Sequence, residues 1–269
     1  MPSRRESTLQ LILNADDFGL SEDTVAATIE CVEAGGLTSA TIMPGMPATE
    51  DAIAFALRHP ELGFGVHLTV TGEHGLRPLA GAETVPGLVD RDGVFLAPRA
   101  ARARAALGRL DVRQLEREIE AQVRAVRDAG VPVTHVDSHR HLHKFAPFRE
   151  ALGRALPRLG VTRVRAVQDV YLLPARRSPT YWLRSRWRDR IRSSFETTDH
   201  FYMAGKLDPP WADALLRRLP QLAGGSLEVG VHPGLQEAWR VRDRLAVLEL
   251  AHGLGEGVER VDWSTLVPR

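Results

Sequence analysis

The chain has 269 residues, 43% of them hydrophobic and 26% charged, which suits one large domain with a substantial core. A formal net charge of +1 gives no overall field for nucleic acid, and no apolar run approaches the roughly 20 residues that span a membrane. The one cysteine, Cys31, excludes an internal disulfide and falls in an apolar helical pattern as a small core residue.

Residues 1–7 are partly basic, and the only apolar stretch that follows, Leu11 to Leu13, is too short for an export signal. A cytoplasmic protein is therefore expected. From there, short apolar runs alternate with helical periodicity, the pattern of a parallel α/β domain. Strands are predicted at Leu9 to Ala15, Ser39 to Met43, Phe64 to Val70, Val133 to Asp137, Val161 to Ala166, Leu227 to His232 and Val258 to Trp263. Helical periodicity occupies residues 21–34, 48–58, 111–129, 147–159, 208–219 and 237–251. Ser21 opens the first of these and Gly35-Gly36 closes it. About seven strands, each handing over to a helix, suggest a barrel; periodicity leaves an open doubly wound sheet as the alternative. Residues 1–269 read as a single domain, with the irregular stretches 71–98 and 168–200 long enough to be functional loops or lids.

Polar residues gather where the strands end, which is the active face of a parallel α/β domain. The first strand runs into Asp16-Asp17, the third carries His67, the fourth leads into His135-Val-Asp-Ser-His139-Arg140-His141-Leu-His143, and a later one ends in His232-Pro-Gly. Six of the ten histidines thus sit at three strand ends. Taken singly, either aspartate reads as a helix cap and His67 as a core histidine. On an extended segment, however, His139, His141 and His143 share one side and converge. One carboxylate and two neutral imidazoles suit a divalent ion such as zinc, with a position left for water or substrate. The aspartate doublet supplies both a ligand and a proton acceptor if one bend separates their directions, and a further imidazole protonates a leaving amine. Asp17-Phe18-Gly19 matches the kinase magnesium motif, but no glycine-rich phosphate loop or catalytic loop accompanies it.

In these residues the sequence resembles the YdjC-like carbohydrate deacetylases, the family of the chitooligosaccharide deacetylases. The matching segments are Asn14 to Ser21, Gly35 to Thr41, Gly65 to Thr69, Thr134 to His143 and Val231 to Gly234. The resemblance implies a distorted (βα) barrel related to the polysaccharide deacetylases, acting on an N-acetylated amino sugar of the N-acetylglucosamine type. It places one divalent ion on Asp17, His67 and His139 and the general base on Asp16, and the Val-His-Pro-Gly context makes His232 the choice for the general acid. Arg140 stands where the family often has a histidine, which assigns it, with His141 and His143, to substrate contacts. Magnesium is the ion the resemblance implies, whereas the ligand set alone leads to zinc. A homodimer is also implied. Thr197 to Phe201 resembles the hopanoid-associated branch, whose substrate is a lipid-linked sugar.

Residues 176–192 hold seven arginines among Tyr181, Trp182, Leu183, Trp187 and Ile191. That pattern fits either a peripheral membrane contact or an apolar stripe packed on the core beneath a solvated arginine face. Two rival functions remain: another metal-dependent hydrolase such as a phosphoesterase, for which Arg140 supplies a cation, and a sugar-binding protein without catalysis. Trp211 and Trp239 are read as core residues rather than an interface.

Overall fold

A computed structural model describes residues 8–172, 179–205 and 210–267, with side chains in the helix that opens at Pro179 described from Trp182 onward. Seven strands form one sheet: β1 (Leu9–Phe18), β2 (Ser39–Ile42), β3 (Gly63–Leu68), β4 (Val136–Ser138), β5 (His200–Met203), β6 (Ser226–Val231) and β7 (Val258–Arg260). Their order is β4-β3-β2-β1-β6-β5, and every pairing is parallel. β7 pairs with the first residues of β1, on the edge whose later residues pair with β2. Parallel strands covered by crossover helices are buried on both faces, and β1 is buried along nearly its whole length.

The sheet curls. Between its terminal strands runs the extended segment 162–165, which bridges Val136 of β4 through Val164 and Glu196 through Arg163. Four backbone hydrogen bonds of 3.0 to 3.1 Å make that join. The result is the distorted parallel barrel that the strand count suggests, with a thin seam in place of one predicted strand.

Around the sheet lie α1 (Glu22–Glu33), α2 (Thr49–Arg58), α3 (Pro98–Ala106), α4 (Val112–Asp128), α5 (Ala146–Ala155), α6 (Pro179–Arg192), α7 (Ala212–Leu216) and α8 (Ala238–Gly253). Ser21 caps α1 in a reciprocal box with Thr24, which fixes where β1 hands over to the helix. α4 buries Leu115, Ile119, Val123 and Val126 at helical spacing against the barrel.

Four further expectations change. β5 lies at the end of what reads as irregular chain, and α3 arises from an alanine-arginine run whose buried face is only Ala101 and Ala105. The helix read at 208–219 shortens to α7; residues 208 and 209 lie outside the described residues. The histidine run is not extended: β4 stops at Ser138, and 139–144 is a 3-10 turn with Arg140 and His141 in left-handed backbone. In α6, Ile191 is buried and Trp187 packs edge-on against Phe145, so this part of the apolar stripe faces the core, whereas Trp182 and Leu183 are exposed; the side chain of Tyr181 lies outside the described residues. Arg176 and Arg177 lie outside the described residues. Among those described, no helix is long and apolar enough to cross a membrane.

Candidate metal and active site

A cleft of about 610 Å³ opens at the carboxyl ends of the strands. Asp16, Asp17, His67, His139, Arg140, His141 and His232 all line it. His143 does not: it is buried below, where its Nδ1 meets Ser138 Oγ at 2.8 Å. The left-handed turn at Arg140 and His141 cancels the extended alternation and sends His143 inward.

A bulge in β1 brings both aspartates to the same cleft. Ala15 to Phe18 of β1 run alongside Ala40 to Ile42 of β2, one residue more on β1, and Asp17 takes a left-handed φ of 59°. Asp17, His74, Arg140 and His141 are the non-glycine residues with positive φ among the described residues, and all four line this cleft. Each such conformation costs on the order of 1–3 kcal/mol, which the surrounding structure must offset.

Asp17 Oδ1, His67 Nε2 and His139 Nδ1 meet at separations of 3.1, 3.3 and 3.4 Å. Donors about 2.1 Å from a tetrahedral ion stand roughly 3.4 Å apart, so this triad fits one divalent ion. Each imidazole also meets a carboxylate on its other nitrogen: His67 Nδ1 lies 2.7 Å from Asp137 Oδ1, and His139 Nε2 lies 2.6 Å from Glu73 Oε2. A carboxylate accepts, so with an ion in the triad these contacts would keep the proton on the outer nitrogen and leave a lone pair turned toward the ion. Burial disfavours a charged His139, yet Asp17 and Glu73 push its pKa up to about 9. The same field attracts a cation to that point. Glu73, which also binds Arg140, is held down to about 2, the two bonds outweighing burial.

Asp16 belongs to a second, fully buried cluster around Arg165, on the seam. Arg165 Nη1 and Nη2 donate to Asp16 Oδ2 and Oδ1 at 2.6 and 2.7 Å, Nη2 donates to Glu228 Oε1 at 2.6 Å, and Nη1 also pairs with Asp137. Burial works against a charged Asp16, but the guanidinium outweighs it and holds that carboxyl well below its usual range. With three carboxylates around one guanidinium, burial pushes Glu228 up to about 7, making it the member that keeps a proton near neutrality.

Across the cleft, His232 has its Nδ1 3.5 Å from Asp243 Oδ2 and its ring edge-on to Trp239 at 5.2 Å. Asp243 is itself fixed by the indole nitrogen of buried Trp211 at 3.1 Å. Arg240 Nη2 donates to Asp17 Oδ2 at 2.6 Å. Trp211 is the core residue expected; Trp239 instead lines the cleft. Glu73, Arg165, Glu228, Arg240 and Asp243 were not anticipated. Arg165 alone left a trace, an arginine inside an apolar strand pattern.

Fold and site together define a parallel barrel protein with a two-histidine, one-aspartate metal-type site at its carboxyl-terminal mouth. Residues 10–256 match the model of the YdjC-like protein family, and the chain belongs to that family. It is 31% identical over 255 residues to a carbohydrate deacetylase of Thermoanaerobacter pseudethanolicus, covering 93% of this chain and 88% of that one. A carbohydrate deacetylase of Geobacillus stearothermophilus is 43% identical over 133 residues, 49% of this chain and 50% of that one. A crystal structure from Enterococcus faecalis, described as that of a putative cellobiose-phosphate cleavage protein, shares the fold at a TM-score of 0.78. Its identity is 22%, and the match covers 96% of this chain and 99% of that one.

Proposed function

We propose that the protein is a metal-dependent carbohydrate deacetylase that removes the acetyl group from an N-acetylated amino sugar. The observation that carries this reading is one cleft holding a metal-type triad, a separate ionised carboxylate beside it and an imidazole opposite. The names of the relatives support the same chemistry.

Asp17, His67 and His139 would hold the ion, and their two imidazoles favour zinc over magnesium, which prefers oxygen ligands. When bound, a divalent ion polarises the acetamide carbonyl and lowers the pKa of water. Asp16 accepts the proton of the attacking water, held ionised and immobile by Arg165. His232 donates a proton to the departing nitrogen, its ring oriented by Asp243. Water is consumed, the C–N bond breaks, and acetate and a free amino sugar leave. Arg140 and His141, fixed in left-handed backbone at the cleft wall, contact the sugar. The short segment Thr197 to Phe201 motivates a lipid-linked sugar as one substrate arm; in the structure it leads into β5, with Phe201 stacked on Arg165 at 4.8 Å.

The test is acetate release by zinc- or magnesium-loaded protein from N-acetylglucosamine oligomers and from a lipid-linked N-acetylglucosaminyl compound, beside Asp16→Asn. Acetate from the wild type, with a loss of about 10²–10⁴-fold in the variant at equal metal content, supports the reading. Metal bound without acetate from any substrate, or phosphate release from a sugar phosphate instead, overturns it.

A further inference from the structure

The triad uses only one oxygen of Asp17. Oδ1 faces both imidazoles, while Oδ2 accepts from Arg240 at 2.6 Å. Arg240 is 5% exposed and firmly seated: its Nε donates to Glu237 Oε2 at 2.9 Å, and its guanidinium lies 4.5 Å from the Trp239 ring centre. The seat also depends on the loop after β6. A Cβ on Gly234 would stand 2.8 and 2.9 Å from Arg240 Cβ and Cδ, so the glycine of the His-Pro-Gly motif makes room for this arginine. A guanidinium beside a cation site is electrostatically unfavourable, and the favourable counterpart is geometric.

We propose that Arg240 is a positioning residue for the metal centre: by occupying Asp17 Oδ2 it confines that carboxylate to one-oxygen ligation, which keeps coordination positions open for water and the acetamide oxygen. This rests on the metal-dependent reading above. A carboxylate free to turn would chelate through both oxygens and fill a position that the reaction needs. The left-handed backbone of Asp17 fixes the approach of the side chain, and Arg240 fixes its rotation.

Cobalt substitution reads coordination number directly, since four- and five-coordinate Co²⁺ absorbs visible light far more strongly than six-coordinate Co²⁺. Wild type, Arg240→Met and Arg240→Lys are each loaded with one equivalent of Co²⁺, and spectra, bound metal, kcat and KM are measured. The expected result is that Arg240→Met still binds cobalt, its visible absorption falls severalfold, and kcat falls about 10- to 100-fold. Arg240→Lys, which retains a donor to Oδ2, recovers part of the spectrum and rate, and shows that folding is intact. Cobalt bound by Arg240→Met with a wild-type spectrum overturns the inference alone. A wild-type protein that binds no cobalt overturns the metal reading, and this inference with it.

Discussion

At the scale of single residues, the side chains of the cleft are held by charged neighbours: Asp16 by Arg165, Asp17 by Arg240, His67 by Asp137 and His139 by Glu73. Asp243 has no ligand role, yet it accepts from the His232 backbone amide at 3.2 Å and lies beside the same residue's ring. Asp243→Asn should therefore lower kcat about 10²-fold or more, with KM and bound metal nearly unchanged; equal kcat would show that the imidazole needs no orientation. That Asp16, Asp17, His67, His139 and His232 gather in one cleft was legible in part, because aspartates and histidines at strand ends stand out, while the roles given to them came from the family resemblance and are proposals. Their partners were not. Glu73, Arg240 and Asp243 are ordinary charged residues in a loop and a helix, and nothing local distinguishes them from a solvated face. His143 misled for a related reason: alternation predicts convergence only if the chain stays extended, and Arg140 and His141 turn it.

Among elements, α4 does more than cover the sheet. Its buried Glu118 accepts from the amides of Leu79 and Ala80 at 3.1 and 2.9 Å, and Gln122 both accepts from and donates to the Thr69 backbone at 2.9 and 2.6 Å. These two side chains anchor the stretch 71–98, whose first residues include Glu73. Glu118→Ala would leave the amides of Leu79 and Ala80 without this partner and should destabilise the fold by about 1–3 kcal/mol in urea denaturation. Hydrogen exchange should rise first in 71–98, and a uniform rise across α4 would show that the anchor serves the helix instead. Most helices were legible through buried apolar residues at helical spacing. α3 lacked that signal, having only alanines on its buried face, and β5 was hidden because it follows the arginine-rich α6 without a clear break.

For the whole molecule, buried histidines away from the triad add to the response to acid that the depressed carboxylates Asp16, Asp17 and Glu73 already give. Burial, then Arg165, pushes His135 and His143 below the usual imidazole value, His143 to about 3. Unfolded chains take up these protons near pH 6.5 while the folded protein does not. The stability these residues contribute is therefore complete above about 6.5 and falls as pH falls below it; for His143 the loss runs toward pH 3 at about 1.4 kcal/mol per pH unit, and His135 loses stability in the same direction. Urea midpoints should drop from pH 6.5 to 5, and His135→Phe, which retains a ring to stack on Trp263, should flatten that slope; an unchanged slope would rule the residue out. The parallel barrel itself was legible from the alternation of elements, because a sheet buried on both faces writes near-continuous apolar runs. Its closure was not, since periodicity cannot separate a closed sheet from an open one, and the segment expected as a strand at Val161 to Ala166 makes only isolated bridges.

That seam gives the molecule a built-in fuse. The thinnest join in the barrel wall carries Arg165, and its guanidinium keeps Asp16 ionised from a position tied to β4 on one side and the approach to β5 on the other. Were the whole join to part and carry the guanidinium away from its three carboxylates, burial would press Asp16 to take up a proton. Under the proposed mechanism, acetate release would then stop while the helices and most of the sheet still stood. On heating, loss of activity should run ahead of loss of helical signal in circular dichroism, and the two should coincide if the seam holds until the whole fold gives way.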